Sequence, residues 1–262
     1  MPKTMIRLAI CLLAAAGAVP AAYGWSATRE AAVPAARTAL AAALADPERA
    51  MQRPADARRK PAELIAFAGV KPGDRVLDLI PGDGYWTRIF SRIVGPTGKV
   101  YAVWPEAYGK LAAGNVATLQ GLSRSSHYGN IVTQVQPTVR LTAPEPLDVV
   151  WTSQNYHDYP DEFMGRNDPS VLNRAVYGLL KPGGVFMVID HEALAGSSLR
   201  DTEALHRIDP AAVKAQVIAA GFVFVGESRV LRNPADQLAV KVFDPRVRGR
   251  TSQFAFKFRK PR

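Results

Sequence analysis

VLDLIPGDGYWT, Val76–Thr87, runs from an apolar segment ending in an aspartate, through Pro81-Gly82-Asp83-Gly84, into residues with helical spacing. That is a strand, a glycine turn and a helix start. Glycine carries no Cβ, so such a turn lets main chain lie against a ligand, and the amides at a helix start favour electron-rich groups. A Walker phosphate loop is excluded, because no Gly-Lys-Ser/Thr follows. The dinucleotide fingerprint fits poorly, since Thr87 stands where it calls for Gly or Ala after Gly82 and Gly84. The competing expectation is a turn with no ligand at all.

Outward from this stretch, strand-like and helix-like segments alternate. RVLDLI (75–80), KVYAVW (99–104), IVTQVQ (131–136), LDVVWTS (147–153) and VFMVID (185–190) read as strands. Between them YWTRIFSRIV (85–94), LAAGNVATLQGLSR (111–124) and SVLNRAVYGLL (170–180) read as helices, the last stopped by Lys181-Pro182-Gly183-Gly184. DPAAVKAQVIAAGF (209–222) is a further helix, with Asp209 as its cap and Pro210 in its first turn. FVFVGESRVL (222–231) and FAFKFR (254–259) are two last strands with no helix between them, which predicts antiparallel pairing. The alternation predicts an α/β fold: a doubly wound, mostly parallel seven-stranded sheet. Ligands of such sheets bind beyond the carboxyl ends of the strands, so the residues that follow each strand are the ones to question.

The chain has 262 residues, 48% of them hydrophobic, enough for one sizeable core. Its net charge of +10 is compatible with nucleic acid, an anionic membrane or acidic ligands. Lys241, Arg246, Arg248, Arg250, Lys257, Arg259, Lys260 and Arg262 concentrate at the C-terminus and read as a solvated basic edge, so no nucleic-acid partner is expected. Lys3 and Arg7 precede LAICLLAAAGAVPAA and then Ala22-Tyr23-Gly24, the pattern of a secretory signal over residues 1–24. The expectation is a periplasmic or secreted protein, cleaved near Gly24, with no stable membrane insertion afterwards. Cys11, the one cysteine, lies inside that signal, so thiol chemistry, disulfides and cysteine metal sites are excluded from the mature chain. Residues 25–60 predict a helical N-terminal extension, and residues 61–262 the α/β domain.

VLDLIPGDGYWTRIF, KVYAVW, LDVVWTSQNYHDY and LLKPGGVFMVIDHEA, in that order, resemble the class I (seven-stranded) S-adenosylmethionine-dependent methyltransferases. More narrowly, residues 50–262 resemble exported bacterial methyltransferase-like proteins. The resemblance implies a loop of the form Asp-x-Gly-x-Gly-x-Gly around the methionine part of S-adenosylmethionine. Asp78, Gly82 and Gly84 match it, whereas Ile80 replaces the first glycine and Tyr85-Trp86 makes the end of the loop bulky. It also implies an acidic residue on the ribose hydroxyls after the second strand. Trp104 stands at that strand end, leaving Glu106 as the candidate and Trp104 as an alternative candidate, to stack on adenine.

SQNYHDYPD follows the fourth strand, where the superfamily places substrate and transfer residues. Asn155 is the candidate donor on the cofactor side, and Tyr156, His157 and Asp158 are the catalytic candidates. Methyl transfer needs a nucleophile held in line with the sulfonium, and sometimes a base; His157 is the candidate base, with Asp158 to orient it. Asp190, His191, Glu192, His206, Arg207 and Asp209 are expected as polar support of the pocket. No His-x-x-x-His spacing favours a metal, so none is expected. His127 reads as a surface loop residue. The expected function is methyl transfer from S-adenosylmethionine to a small acceptor. The alternative is a non-catalytic ligand-binding or interaction protein on the same fold; a Rossmann oxidoreductase is disfavoured by Thr87.

Overall fold

A computed structural model describes the chain from residue 24 to residue 262, with side chains from residue 34 onward; the expected signal segment lies outside the described residues. Seven strands, β1 (Arg75–Leu79), β2 (Lys99–Pro105), β3 (Ile131–Gln136), β4 (Leu147–Ser153), β5 (Leu180–His191), β6 (Val223–Ser228) and β7 (Gln253–Arg259), form one sheet. Its order is β3-β2-β1-β4-β5-β7-β6. The first five run parallel, and β7 is antiparallel to both β5 and β6, as the missing helix predicts. Chain order reverses between β1 and β4, so the switch point lies where the opening stretch and SQNYHDY both emerge.

The described helices are α1 (Gly24–Ala45), α2 (Asp56–Arg59), α3 (Pro61–Ala68), α4 (Tyr85–Val94), α5 (Glu106–Leu111), α6 (Ala113–Ser123), α7 (Pro169–Leu179), α8 (Thr202–Leu205) and α9 (Pro210–Ala219). Val76, Leu77, Val100, Val103, Val150, Phe186 and Val188 are sealed from solvent, the continuous apolar strands of a sheet covered on both faces. Trp151 of β4 meets Trp86 and Phe90 of α4 at ring-centroid separations of 4.7 and 5.2 Å, which fixes α4 on the sheet. The Asp209 carboxylate accepts from the Ala211 amide at 2.8 Å, the expected cap of α9. Lys181-Pro182-Gly183-Gly184 is looped out of β5: Leu147 pairs with Leu180 and Val149 already with Val185. The turn therefore interrupts the strand instead of preceding it.

Residues before the sheet are stapled onto α4. The Arg49 guanidinium is sealed from solvent, pairs with Asp56 at 2.7 Å and lies over the Tyr85 ring. Tyr85 in turn donates its hydroxyl to Asp56 at 2.7 Å. Asp46 is a second staple, with His127 Nε2 at 2.8 Å and the Tyr128 hydroxyl donating at 3.3 Å. His127 is thus half-buried and docks the N-terminal region, which corrects its reading as a plain surface residue. Among the described residues, no helix is long and apolar enough to cross a membrane.

Candidate functional site

A cleft of about 590 Å³ opens beyond the carboxyl ends of β1 and β4, within the range of small-molecule sites. Asp78, Ile80, Gly82 and Asp83 form one wall; Asn155, His157 and Asp158 form another; His191, His206 and Phe243 close the far end. Of the residues selected from sequence for cofactor binding and catalysis, Asp78, Gly82, Asn155, His157 and Asp158 meet here, with His191 and His206 from the expected polar support.

The two glycines of the loop have different jobs. Both sit at positive φ, +60° for Gly82 and +86° for Gly84. A Cβ on Gly82 would meet nothing within 4 Å, so the loop presents an open cradle there. One on Gly84 would come within 2.8 Å of Leu119 on α6. Gly84 lies outside the cleft lining and lets α6 approach the start of α4, which corrects its place as the ligand-facing glycine. Ile80, in place of the first glycine, takes φ +55°, a region that disfavours a β-branched residue by about 1–2 kcal/mol. It stays there because its amide donates to Val103 O at 2.8 Å and its carbonyl accepts from Asn155 Nδ2 at 3.0 Å.

Asp78 is buried beneath the loop and accepts the Thr87 hydroxyl at 2.6 Å. Desolvation raises its pKa to about 7, opposed by the Thr87 hydrogen bond and by the charge of Arg59. Arg59, from α2, also lines the cleft; no feature of its local sequence singled it out. Its guanidinium lies over Tyr85, its Nε is buried without a hydrogen-bond partner, and desolvation lowers its pKa. Among the described residues no carboxylate forms an ion pair with it.

Glu106 and Tyr156 are placed elsewhere. Glu106 starts α5, points away from the cleft and pairs with Lys110 at 3.0 Å while largely exposed. Trp104 is sealed in the core and shows no face to the cleft. The wall at this point is Tyr108, whose hydroxyl pKa burial pushes up, together with Asn115 of α6. Tyr156 is fully buried, accepts from Asn173 Nδ2 at 2.8 Å and bonds Gln216 at 3.1 Å. It anchors the loop from below.

His157 is gripped from both sides. Nδ1 lies 2.7 Å from Asp190 Oδ1, the His157 amide donates to Asp190 Oδ2 at 2.8 Å, and Nε2 lies 3.1 Å from Asp158 Oδ1. Burial opposes a charge on the ring, but the two carboxylates outweigh it and hold the pKa well above the ordinary histidine value. Asp190 is therefore the residue that orients the ring, and Asp158 sits on the nitrogen expected to face substrate. A ring so held is not a freely titrating base with an ordinary pKa. His206 Nδ1 lies 3.8 Å from the same Asp158 oxygen. His191 bonds Thr251 Oγ1 through Nδ1 at 2.8 Å, and desolvation drives its pKa down to about 3.

The fold is the seven-stranded Rossmann-like fold of S-adenosylmethionine-dependent methyltransferases. A methyltransferase of that class from Aquifex aeolicus superposes with a TM-score of 0.55 at 18% identity, covering 82% of this chain and 93% of that one. A chain of the complex between the Haloferax volcanii Trm112 methyltransferase activator and the "putative methyltransferase" gives 0.57 at 16% identity, covering 86% of this chain and 98% of that one. Among curated proteins, the ubiquinone/menaquinone biosynthesis C-methyltransferase of Pseudomonas paraeruginosa is 30% identical over 139 residues, 52% of this chain and 48% of the relative. That of Ectopseudomonas mendocina is 58% identical over 36 residues, 14% of each chain. The chain thus spans less than half the length of these curated relatives. No family model matches.

Proposed function

We propose that the protein transfers a methyl group from S-adenosylmethionine to a small acceptor. The observation that carries this reading is the open cradle at Gly82, in a cleft whose lining also holds the buried Asp78 and Arg59. A ligand with a cationic amine and a carboxylate at one end suits that pairing: Asp78 and Asp83 favour the first, and Arg59, unpaired, favours the second. When bound, S-adenosylmethionine supplies an electrophilic methyl on a sulfonium. The chain's own contribution is to hold the two partners in line and exclude water, with Asn155 tying the loop after β4 to the loop after β1. The curated C-methyltransferase relatives and the methyltransferase neighbours favour this reading over a binding protein without turnover.

Calorimetric titration of the purified protein with S-adenosylmethionine, S-adenosylhomocysteine and NAD tests it. The first two should bind one per chain and NAD should not. A protein that binds none of the three is not a methyltransferase.

The acceptor side is the wall made by His157, Asp158, His206 and Phe243, and an oxygen- or nitrogen-bearing small molecule suits it better than a polymer. Export is part of the same proposal, resting on Lys3, Arg7 and the uncharged run that follows. Mass spectrometry of the mature N-terminus in a bacterial host decides it, and a chain that keeps Met1 in the cytoplasm overturns it.

A further inference from the structure

His157, Asp158 and His206 each offer a ligand atom to one spot, and the three atoms lie within 4.8 Å of one another. We propose that His157 Nε2, Asp158 Oδ1 and His206 Nδ1 bind a divalent first-row transition-metal ion at the floor of the cleft, with an open coordination position toward the acceptor.

Geometry is the first support. Metal–ligand bonds of about 2.0–2.2 Å set neighbouring ligand atoms roughly 3–3.5 Å apart. The 3.1 Å between His157 Nε2 and Asp158 Oδ1 already fits; the 3.8 Å from Asp158 Oδ1 to His206 Nδ1 and the separation of the two histidines, inside 4.8 Å, need the partly exposed His206 ring to rotate inward. The second support lies behind the ligands. Asp190 takes the Nδ1 side of His157 at 2.7 Å, the carboxylate–histidine–metal arrangement that fixes the tautomer and aims Nε2 at the ion. The Asp190 carboxylate is itself held by the amides of His157 and His191, at 2.8 and 2.7 Å.

Charge is the third. Asp158, Asp161 and Asp190 are all buried around this spot. Among the described residues no lysine or arginine pairs with any of them, because the nearby Arg207 is committed to Asp236 at 2.8 Å. Asp161 Oδ1 is moreover buried with no hydrogen-bond partner. Three buried carboxylates without a basic partner favour a bound cation at this spot. Two imidazoles with one carboxylate select Zn²⁺, Fe²⁺, Co²⁺ or Mn²⁺ over Mg²⁺ and Ca²⁺. All three ligands line the cleft, so a further ligand from solution has access to the ion. An acceptor bearing a hydroxyl or enol oxygen is the class such an ion would hold and acidify.

The ion site itself does not depend on methyl transfer, the acceptor class does rest on that reading, and the test reads metal. The full chain is stripped with EDTA and titrated with Co²⁺, following visible absorption, and Zn²⁺ competition gives the affinity. One equivalent should bind with four- or five-coordinate d–d bands. His206→Ala should weaken binding by at least tenfold while the thermal midpoint of the metal-free protein stays put. Asp190→Asn, which touches the ion only through His157, should weaken it about 10–100-fold. Acetohydroxamate should shift the bands if the open position faces the cleft. Absence of stoichiometric Co²⁺ binding, or unchanged affinity in His206→Ala, overturns the site; unshifted bands overturn the open position. S-adenosylmethionine titrated into the stripped protein reads the methyltransferase proposal separately, since the glycine loop does not depend on the ion.

Discussion

Asn155 Nδ2 donates to the carbonyl of Ile80 at 3.0 Å, joining the residue just beyond β4 to the residue just beyond β1 across the switch point. The same amide group also donates to Ser153 O at 2.7 Å. One side chain thus sets the spacing between the glycine loop and the histidine loop, and it holds Ile80 in its left-handed conformation. Asn155→Ala leaves the buried Ile80 carbonyl and the partly buried Ser153 carbonyl without that donor and should lower stability by about 1–3 kcal/mol. S-adenosylmethionine affinity should fall as well. Urea denaturation beside calorimetry checks both, and a variant as stable as the parent removes the bridge from the account.

The two glycines separate binding from folding. Gly82→Ala keeps a folded protein, at about 1–2 kcal/mol for the left-handed side chain, and places a methyl in the cradle. Cofactor binding should be lost or reduced at least tenfold. Gly84→Val carries the same backbone penalty and also drives a side chain into Leu119, adding about 1–3 kcal/mol of overpacking. It should lower the thermal midpoint well below that of Gly82→Ala. Equal stability in the two variants contradicts this division.

Much of this fold was legible because parallel strands buried on both faces are unbroken apolar runs between turn residues. Ile131–Gln136 and Leu147–Ser153 are strands over the very residues the pattern marks. Helix α5 was not legible, since Glu-Ala-Tyr-Gly-Lys-Leu carries too few apolar positions to show a face. Its formation turns Glu106 onto Lys110 and away from the cleft. In Tyr156-His157-Asp158 the type of residue was informative and the direction was not. A single 3₁₀ turn sends Tyr156 down to Asn173 and its neighbours up into the cleft. Arg59 enters the site through the docking of the N-terminal region on α4, a long-range contact that no local pattern records.

Asp78 and His191 should give the protein opposite pH dependences. Between pH 3.8 and about 7 the folded chain keeps a proton on Asp78 that the unfolded chain releases, so raising the pH costs stability across that window. The full effect of a shift of that size is on the order of 4 kcal/mol. His191 works the other way. Below pH 6.5 the unfolded ring takes up a proton that the folded ring refuses down to about pH 3, so stability rises with pH over that range. Relative to the parent, Asp78→Asn should make stability climb more steeply from pH 4 to 6.5 and should stabilise the protein at pH 8. His191→Asn should flatten the climb or turn it into a fall. Denaturant midpoints at pH 4.5, 6 and 8 for the three proteins suffice, and parallel profiles in all three would show that neither group is shifted.

Arg59 pits stability against affinity. A guanidinium held half-buried over Tyr85 without an ion-pair partner among the described residues costs desolvation that the Tyr85 ring and the charges of Asp83 and Asp78 offset only in part. Arg59→Met keeps the aliphatic contact with the ring and removes the charge, giving up only the cation–π attraction of about 0.5–1 kcal/mol. The thermal midpoint of the ligand-free variant should therefore stay level or rise. If Arg59 receives the carboxylate of the cofactor, a charge-assisted hydrogen bond worth about 1.5–3 kcal/mol disappears, and the dissociation constant for S-adenosylmethionine should increase roughly 10–100-fold. Decarboxylated S-adenosylmethionine serves as the control, because it lacks the group Arg59 would hold and should bind parent and variant alike. If Arg59→Met instead weakens both ligands equally, the residue shapes the cleft and the carboxylate is held elsewhere.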